Sequence, residues 1–275
     1  MTLSRPSHRR TALITGASSG IGLELARLLA ADGHDLVIVA RQHQRLEQLA
    51  EELRAQPGIS VHCHPRDLSV PHAATELWAG LVNAGVTVDV LINNAGVGLY
   101  GPLETQDADA LGRMLELNVV ALTALTRLAL PGMLERHWGR ILNVASVAAY
   151  QPGGPRMAAY YASKSYVLSL SKGLARELSG TGVSVTALCP GPTETSFEER
   201  SGANRTVLYK WVPTMPAKSV ARAGYRGMKR RAGVVIPGLI AKVLAFAGEL
   251  PPRRIALEVN RFLLREHRKG ADGVA

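Results

Sequence analysis

Tyr160 and Lys164 stand four residues apart in the stretch Tyr160-Tyr161-Ala162-Ser163-Lys164. On a helix that spacing puts a phenol and an ammonium on one face. A free phenol titrates near ~10, and an adjacent cation stabilises the phenolate and lowers that value. Such a phenol can protonate a carbonyl oxygen while a hydride arrives at the carbon. Ser146, at the end of an apolar run, is placed to hydrogen-bond the same oxygen and help orient it. Taken singly, each residue has a plainer reading: Tyr packs into cores, Lys sits in solvent and Ser ends strands.

The hydride needs a carrier, and Thr15-Gly16-Ala17-Ser18-Ser19-Gly20-Ile21-Gly22 has the form of a carrier's cradle. A strand ends at Thr15 and a helix begins near Ser19 to Ile21. A pyrophosphate can sit on the exposed N–H groups of that first turn, helped by the helix dipole. The glycines permit a tight turn, close backbone approach and close helix–strand packing. Their spacing is G-x-x-x-G-x-G, and the plainer reading is an ordinary glycine-rich turn.

The second strand ends Val39-Ala40-Arg41, without the acidic residue that bonds adenosine ribose hydroxyls in NAD sites. Arg41 can pair with a 2′-phosphate, so NADP(H) is expected over NAD(H). Asn93-Asn94-Ala95-Gly96, at the end of another strand, can tie strand ends together and leave room for a ribose.

The elements that carry these groups alternate. Strand-like runs cover Thr11 to Thr15, Asp35 to Ala40, Ser60 to Cys63, Val88 to Ile92, Ile141 to Ala145, Val183 to Leu188 and Ala232 to Pro237. Helical patterns lie between them: Ile21 to Ala31, a stripe through Leu46 and Leu53, Ala73 to Val82, Leu111 to Leu134, and Met157 to Leu178. Continuous apolar strands separated by helices argue for a parallel sheet covered on both faces. Pro192 to Pro216 reads as one long irregular segment, a candidate substrate loop. Beyond it, Lys218 to Arg231 reads as a basic helix, and Leu239 to Ala247 and Arg254 to Arg265 as amphipathic helices parted by Pro251-Pro252.

The 275 residues suit one large α/β domain, and the hydrophobic (47%) and charged (20%) fractions are those of a soluble globular chain. The most apolar stretch, Val234 to Ala247, is interrupted by Pro237, Gly238 and Lys242, so no membrane span is expected. Met1 to Arg10 is polar and basic, unlike a secretory signal. Cys63 and Cys189 are expected as buried free thiols, which fits a reducing cytoplasm. The net charge of +10 is unevenly placed: residues 201–275 hold 15 Lys/Arg against 4 Asp/Glu, and the rest 17 against 18. That pole suits an acidic partner, an anionic substrate or a membrane surface, or is simply a solvated face.

In combination and order, these segments resemble the short-chain dehydrogenase/reductase family over roughly residues 10 to 200. The resemblance implies a single doubly wound Rossmann domain with a seven-stranded parallel sheet over 1–275. It divides into a cofactor and catalytic core (10–200), a substrate loop (192–216) and a helical C-terminal extension (239–275). It implies catalytic roles for Asn118, Ser146, Tyr160 and Lys164. Tyr160 would be the acid in reduction, Lys164 would bond the nicotinamide ribose and depress the phenol, and Asn118 would hold a relay water. Cofactor contacts would come from Gly16, Ser18, Ser19, Gly20, Ile21 and Gly22; from Arg41, Asp67 and Leu68; and from Asn94, Ala95 and Gly96. Tyr160, Lys164, Pro190, Gly191, Thr193 and Thr195 would complete the set, with no metal. Ser146 precedes Tyr160 by one residue more than the family spacing, an insertion assigned to Pro152-Gly153-Gly154-Pro155.

The expected function is NADP(H)-dependent hydride transfer to a ketone or aldehyde. The apolar substrate would be walled by Ala149, Tyr150, Gln151, Phe197, Leu208, Tyr209 and Trp211. The alternative is a catalytically silent NADP(H) sensor of the same fold. Nucleic acid is not an expected partner, because Tyr225 is the only aromatic residue in the basic run 218–231. The resemblance also implies a homodimer or homotetramer. The +11 balance of the tail and its amphipathic helices suit weak contact with anionic lipid.

Overall fold

Short apolar runs become strands whose side chains point alternately to two buried faces. The computed structural model describes residues 9–250 and 252–267, so Met1 to His8, Pro251 and residues 268–275 of the expected extension lie outside it. The first six strands are Thr11–Thr15 (β1), Asp35–Ala40 (β2), Val61–Pro65 (β3), Val90–Asn93 (β4), Gly139–Val144 (β5) and Val183–Leu188 (β6). Ala12, Ile14, Leu36 and Ile38 pack into one core, and Leu13, Val37 and Val39 into another. A period of two with both sides apolar is why the strands read as unbroken apolar stretches. Each fully buried leucine of this kind contributes about 1.5–3 kcal/mol.

Helices cover both faces. Gly20–Ala31 (α1) and His43–Arg54 (α2) bury Leu25, Leu29, Leu46 and Leu53 on the first. Ala73–Asn83 (α3), Ala108–Glu135 (α4) and Ala158–Glu177 (α5) supply the second, with Leu77, Leu125 and Met133 beneath them. The chain continues through Thr193–Glu194 (β7), Phe197–Ser201 (α6), Val207–Trp211 (α7), Met215–Pro216 (β8) and Ala217–Lys229 (α8). Val234–Val235 (β9), Leu239–Glu249 (α9) and Arg253–Leu263 (α10) follow.

The main sheet has seven parallel strands in the order β3-β2-β1-β4-β5-β6-β9. β1 pairs with β2 on one side (Ile14 opposite Ile38) and with β4 on the other (Ile14 opposite Ile92). The order reverses between β1 and β4, and in doubly wound sheets ligands bind in the crevice beyond the carboxyl ends at such a point.

Three expectations change. The segment Pro192 to Pro216 is not irregular: β7 and β8 pair in parallel and close its base, while α6 and α7 fill its arch. The last strand shrinks from the expected Ala232 to Pro237 to Val234–Val235, paired with Ala187 and Leu188. No segment is expected from the sequence to be long and apolar enough to cross a membrane, but α4 is. Its 28 residues contain an 18-residue window of mean hydropathy 1.5, which passes by length and composition alone. One side of it is buried against the sheet through Leu117, Ala121, Leu125 and Ala129. α4 also contains a π-helical turn, Glu116–Ala121, which holds Asn118.

Candidate active site

Thr15, the last residue of β1, holds the glycine turn in place. Its Oγ1 donates to the Ile92 carbonyl (3.2 Å) and accepts the N–H groups of Asn94 and Ala95 (3.0 Å each). The Asn94 amide donates to the carbonyls of Thr15 (3.0 Å) and Gly16 (3.1 Å). The amide nitrogen of Asn94 thus bonds the turn, as its place at a strand end suggests. Asn93 anchors the strand behind it, donating to Thr126 Oγ1 (3.0 Å) and Asn143 Oδ1 (2.9 Å), and Asn143 donates to Ser171 Oγ (3.0 Å).

The turn passes a dinucleotide's fit test. Gly16 has φ +67°, and a Cβ there would lie 2.8 Å from Asn94 Nδ2 and 2.9 Å from Ala95 Cα, so only glycine fits. At Gly20 (φ +57°) a Cβ would lie 2.8 Å from Thr195 Cγ2. The first turn of α1 carries no acidic side chain, and Ser19 makes no side-chain cap. Its N–H groups therefore remain available to an anion.

From this turn a single cleft runs along the strand ends. It is lined by Gly16, Ser18 to Ile21, Arg41, Asp67, Leu68, Asn94 to Gly96, Ser146, Tyr160 and Lys164. Pro190, Gly191, Thr193 and Thr195 line it as well. Gly22 and Asn118 do not. Gly22 lies beneath the turn, against Asn94 Nδ2 and the Gly16 carbonyl, where its lack of a side chain allows close packing. The Asn118 amide is used by the protein: Oδ1 accepts from Val97 N (3.0 Å), and Nδ2 donates to Val97 O (2.9 Å) and Ser163 Oγ (3.1 Å). Its side chain has no donor left for a relay water.

Ser146, Tyr160 and Lys164 converge in mid-cleft. Ser146 Oγ accepts Ala148 N–H (3.1 Å), which leaves its own proton for the Tyr160 oxygen. Lys164 Nζ donates to the Val144 carbonyl (2.9 Å) and lies 5.9 Å from the Tyr160 ring centre. The Tyr160 ring packs on Phe197 (5.3 Å) and edge-on to Tyr161 (6.1 Å).

This packing reverses one electrostatic expectation. The sequence pattern places the phenol under a cation that lowers its pKa. In the folded chain burial dominates and pushes Tyr160 up to about 12, with Ser146 pulling it partly back. Burial also pushes Lys164 down to about 8. Desolvation disfavours the charged form of each group, phenolate and ammonium alike.

At the adenosine end, Arg41 Nη1 lies 3.8 Å from Asp67 Oδ2, and Asp67 Oδ1 accepts from Ser69 N (2.9 Å) and Oγ (2.7 Å). The sequence reading missed Arg200, which α6 brings to the same end of the cleft. Burial lowers its pKa, and the nearby charges of Arg41 and Arg45 lower it further. No local pattern signals this, because Arg200 is brought to Arg41 by the arch.

The substrate end also departs from expectation. Gln151, Phe197, Leu208 and Tyr209 line it, whereas Ala149 and Tyr150 pack around Val167 and Leu168. Trp211 is 61% exposed and rests on Phe262. The missing wall comes from Met157 and Tyr161 and from Leu244, Asn260, Leu263 and Leu264 of the C-terminal segment. Elsewhere, Cys189 is buried but Cys63 is only half-buried, and both are free thiols. Tyr225 is packed against α1 and donates to Asp32, so it offers no stacking face. Among the described residues no group of three or more His, Cys, Asp or Glu could hold a metal.

The profile of the family described as short chain dehydrogenase matches residues 10–206. A putative ketoacyl reductase of granaticin polyketide synthesis in Streptomyces violaceoruber is 40% identical over 192 residues, 69% of this chain and 70% of that one. The structure of a short-chain dehydrogenase from Sphingobium yanoikuyae in complex with NADPH superposes with TM-score 0.77 and 37% identity, covering 87% of this chain and 92% of that one. One from Burkholderia phymatum in complex with NAD gives TM-score 0.77 and 27% identity, covering 86% and 92%. The chain belongs to the short-chain dehydrogenase/reductase family and is an oxidoreductase acting on CH–OH or C=O groups.

Proposed function

We propose that this protein reduces apolar ketones or aldehydes and prefers NADP(H). The observation that carries the reading is that one cleft joins the anion-binding turn, the Ser146–Tyr160–Lys164 cluster and an apolar wall. The nicotinamide supplies the hydride. The turn from Gly16 to Ile21 would hold the pyrophosphate, with Thr193 and Thr195 closing over the nicotinamide end.

The protein's own part is to hold and move a proton. A phenol raised to about 12 arrives protonated at neutral pH, as an acid for reduction must. Ser146 turns its hydroxyl proton from the Tyr160 oxygen to the substrate oxygen and orients it beside the phenol. As Tyr160 gives up its own proton, the Lys164 ammonium stabilises the phenolate. Lys164, titrating near about 8, is still mostly charged at pH 7. Phe197, Leu208 and Tyr209 exclude water from the reacting carbon and favour an apolar substrate.

Cofactor preference rests on Arg41, with Arg45 and Arg200 adding positive charge nearby. The NADPH-bound relative fits this reading, and the NAD-bound one shows that the fold accommodates either cofactor. We also place the protein in the cytoplasm as a homodimer or homotetramer, in keeping with its free thiols. The test is turnover of a panel of ketones, aldehydes and alcohols with each cofactor. NADPH oxidation by apolar carbonyls is expected. Binding of NADPH without turnover of any compound would favour a sensor instead.

A further inference from the structure

The two C-terminal helices face the wrong way for a water-soluble surface. α9 turns its small residues Ala241, Ala245 and Gly248 inward. Gly248 is pressed so closely on Tyr150 O (2.6 Å from an added Cβ) that nothing larger fits. Leu239, Ile240, Val243, Phe246 and Leu250 point outward, with Leu239 77% and Phe246 65% exposed. In α10 the buried residue is polar: Asn260 donates to Gly153 O (2.8 Å) and Gln151 Oε1 (3.2 Å). Ile255, Val259 and Phe262 of the same helix are exposed. Among the described residues, nine of the sixteen exposed large hydrophobic side chains fall within residues 239–262, so this is a patch and not scatter. Trp211 extends it, its ring 5.7 Å from that of Phe262.

Charge decides among occupants. On these helices Lys242, Arg253 and Arg254 are exposed and have no carboxylate within 4 Å among the described residues. Glu258 is already paired with Arg261 (3.7 Å), and Glu266, beyond α10, with Arg156 (3.5 Å); Glu249 at the end of α9 is exposed, and against Lys242, Arg253, Arg254 and Arg261 it leaves the two helices net positive. A second copy meeting the same face would oppose cation to cation. An anionic lipid surface would accept both the apolar side chains and the ammonium and guanidinium groups that flank them.

We propose that α9 and α10 dock this protein on an anionic bilayer surface. The inner sides of the same two helices, through Leu244 and Leu263, wall the substrate end of the cleft together with Leu264 just beyond α10. Docking therefore sets the cleft's apolar wall beside the membrane interface, where an apolar carbonyl compound is concentrated. This second step rests on the carbonyl-reductase reading; the docking itself does not.

The test is co-sedimentation of the full chain with phosphatidylcholine vesicles, with and without phosphatidylserine, at low salt. Binding only to the anionic vesicles is expected. Lys242→Glu with Arg254→Glu should reduce it by thirtyfold or more, at about fivefold for each cation neutralised. Leu239→Ser with Phe246→Ser and Ile255→Ser should abolish it. None of these residues lines the cleft, so turnover of a water-soluble ketone checks that each variant is folded. Wild-type turnover of 2-dodecanone carried in anionic vesicles should fall in the variants while the soluble ketone is unaffected. No binding by the wild type, or binding that survives both sets of changes, overturns the proposal. So does a solution mass that drops when Phe246 is changed, since a second copy would then cover the face. Vesicle binding without turnover of any ketone would keep the docking and overturn the reductase reading.

Discussion

Replacing Arg41 with aspartate tests how the adenosine end of the cleft chooses its cofactor. Arg41 is about half exposed and its nearest carboxylate, on Asp67, is 3.8 Å away, so its guanidinium is only loosely held and can turn to a 2′-phosphate. A hydrogen bond to a charged group contributes about 1.5–3 kcal/mol, and losing that amount lowers the selectivity ratio by roughly 10- to 150-fold. Arg45 and Arg200 remain and partly offset the loss, so the lower half of the range is expected. Arg41→Asp should therefore cut kcat/KM for NADPH by tens-fold and leave that for NADH within a few-fold. The double variant with Arg200→Ala should fall further for NADPH alone. The assay is the ratio of kcat/KM for the two cofactors on one carbonyl substrate. Equal losses with both cofactors would refute the assignment of Arg41 to a 2′-phosphate.

Other outcomes follow from the same geometry. Lys164 loses its proton as pH rises through about 8, whereas Tyr160 keeps its own to about 12. kcat/KM for NADPH should fall on the alkaline side with an apparent pKa near 8, and Lys164→Arg should move that limb upward. Gly22→Ala would force a methyl group onto Asn94 and the Gly16 carbonyl, at a cost of about 1–3 kcal/mol read from thermal or denaturant unfolding. Thr15→Val leaves the Asn94 and Ala95 N–H groups without their acceptor, at about 1–3 kcal/mol each. A loosened turn should then show as weaker cofactor binding before catalysis itself fails.

What the sequence made legible is what depends on local spacing. Tyr160 and Lys164 share a helix face, and Gly16, Asn94, Ser146 and Pro190 end strands; parallel strands bring those ends to one edge of the sheet. Quantities set by distant packing were not legible. The direction of the Tyr160 shift depends on Phe197 and Tyr161 covering the phenol, and Phe197 arrives on the arch between β7 and β8. Arg200 reaches Arg41 by the same route. The C-terminal helices read as amphipathic, but the pattern does not say which side faces in. Gly248 against the Tyr150 carbonyl and Asn260 against Gly153 decide that, by admitting only small or hydrogen-bonding residues.

The central claim is that the Tyr160 hydroxyl delivers the proton to the substrate oxygen. Tyr160→Phe keeps the ring that packs on Phe197 and removes only that hydroxyl. Single-turnover reduction and NADPH binding should be measured together on the variant. Binding within a few-fold of the wild type, with the rate reduced by about 10²–10⁴, is the result expected. An unchanged rate of reduction would contradict the account.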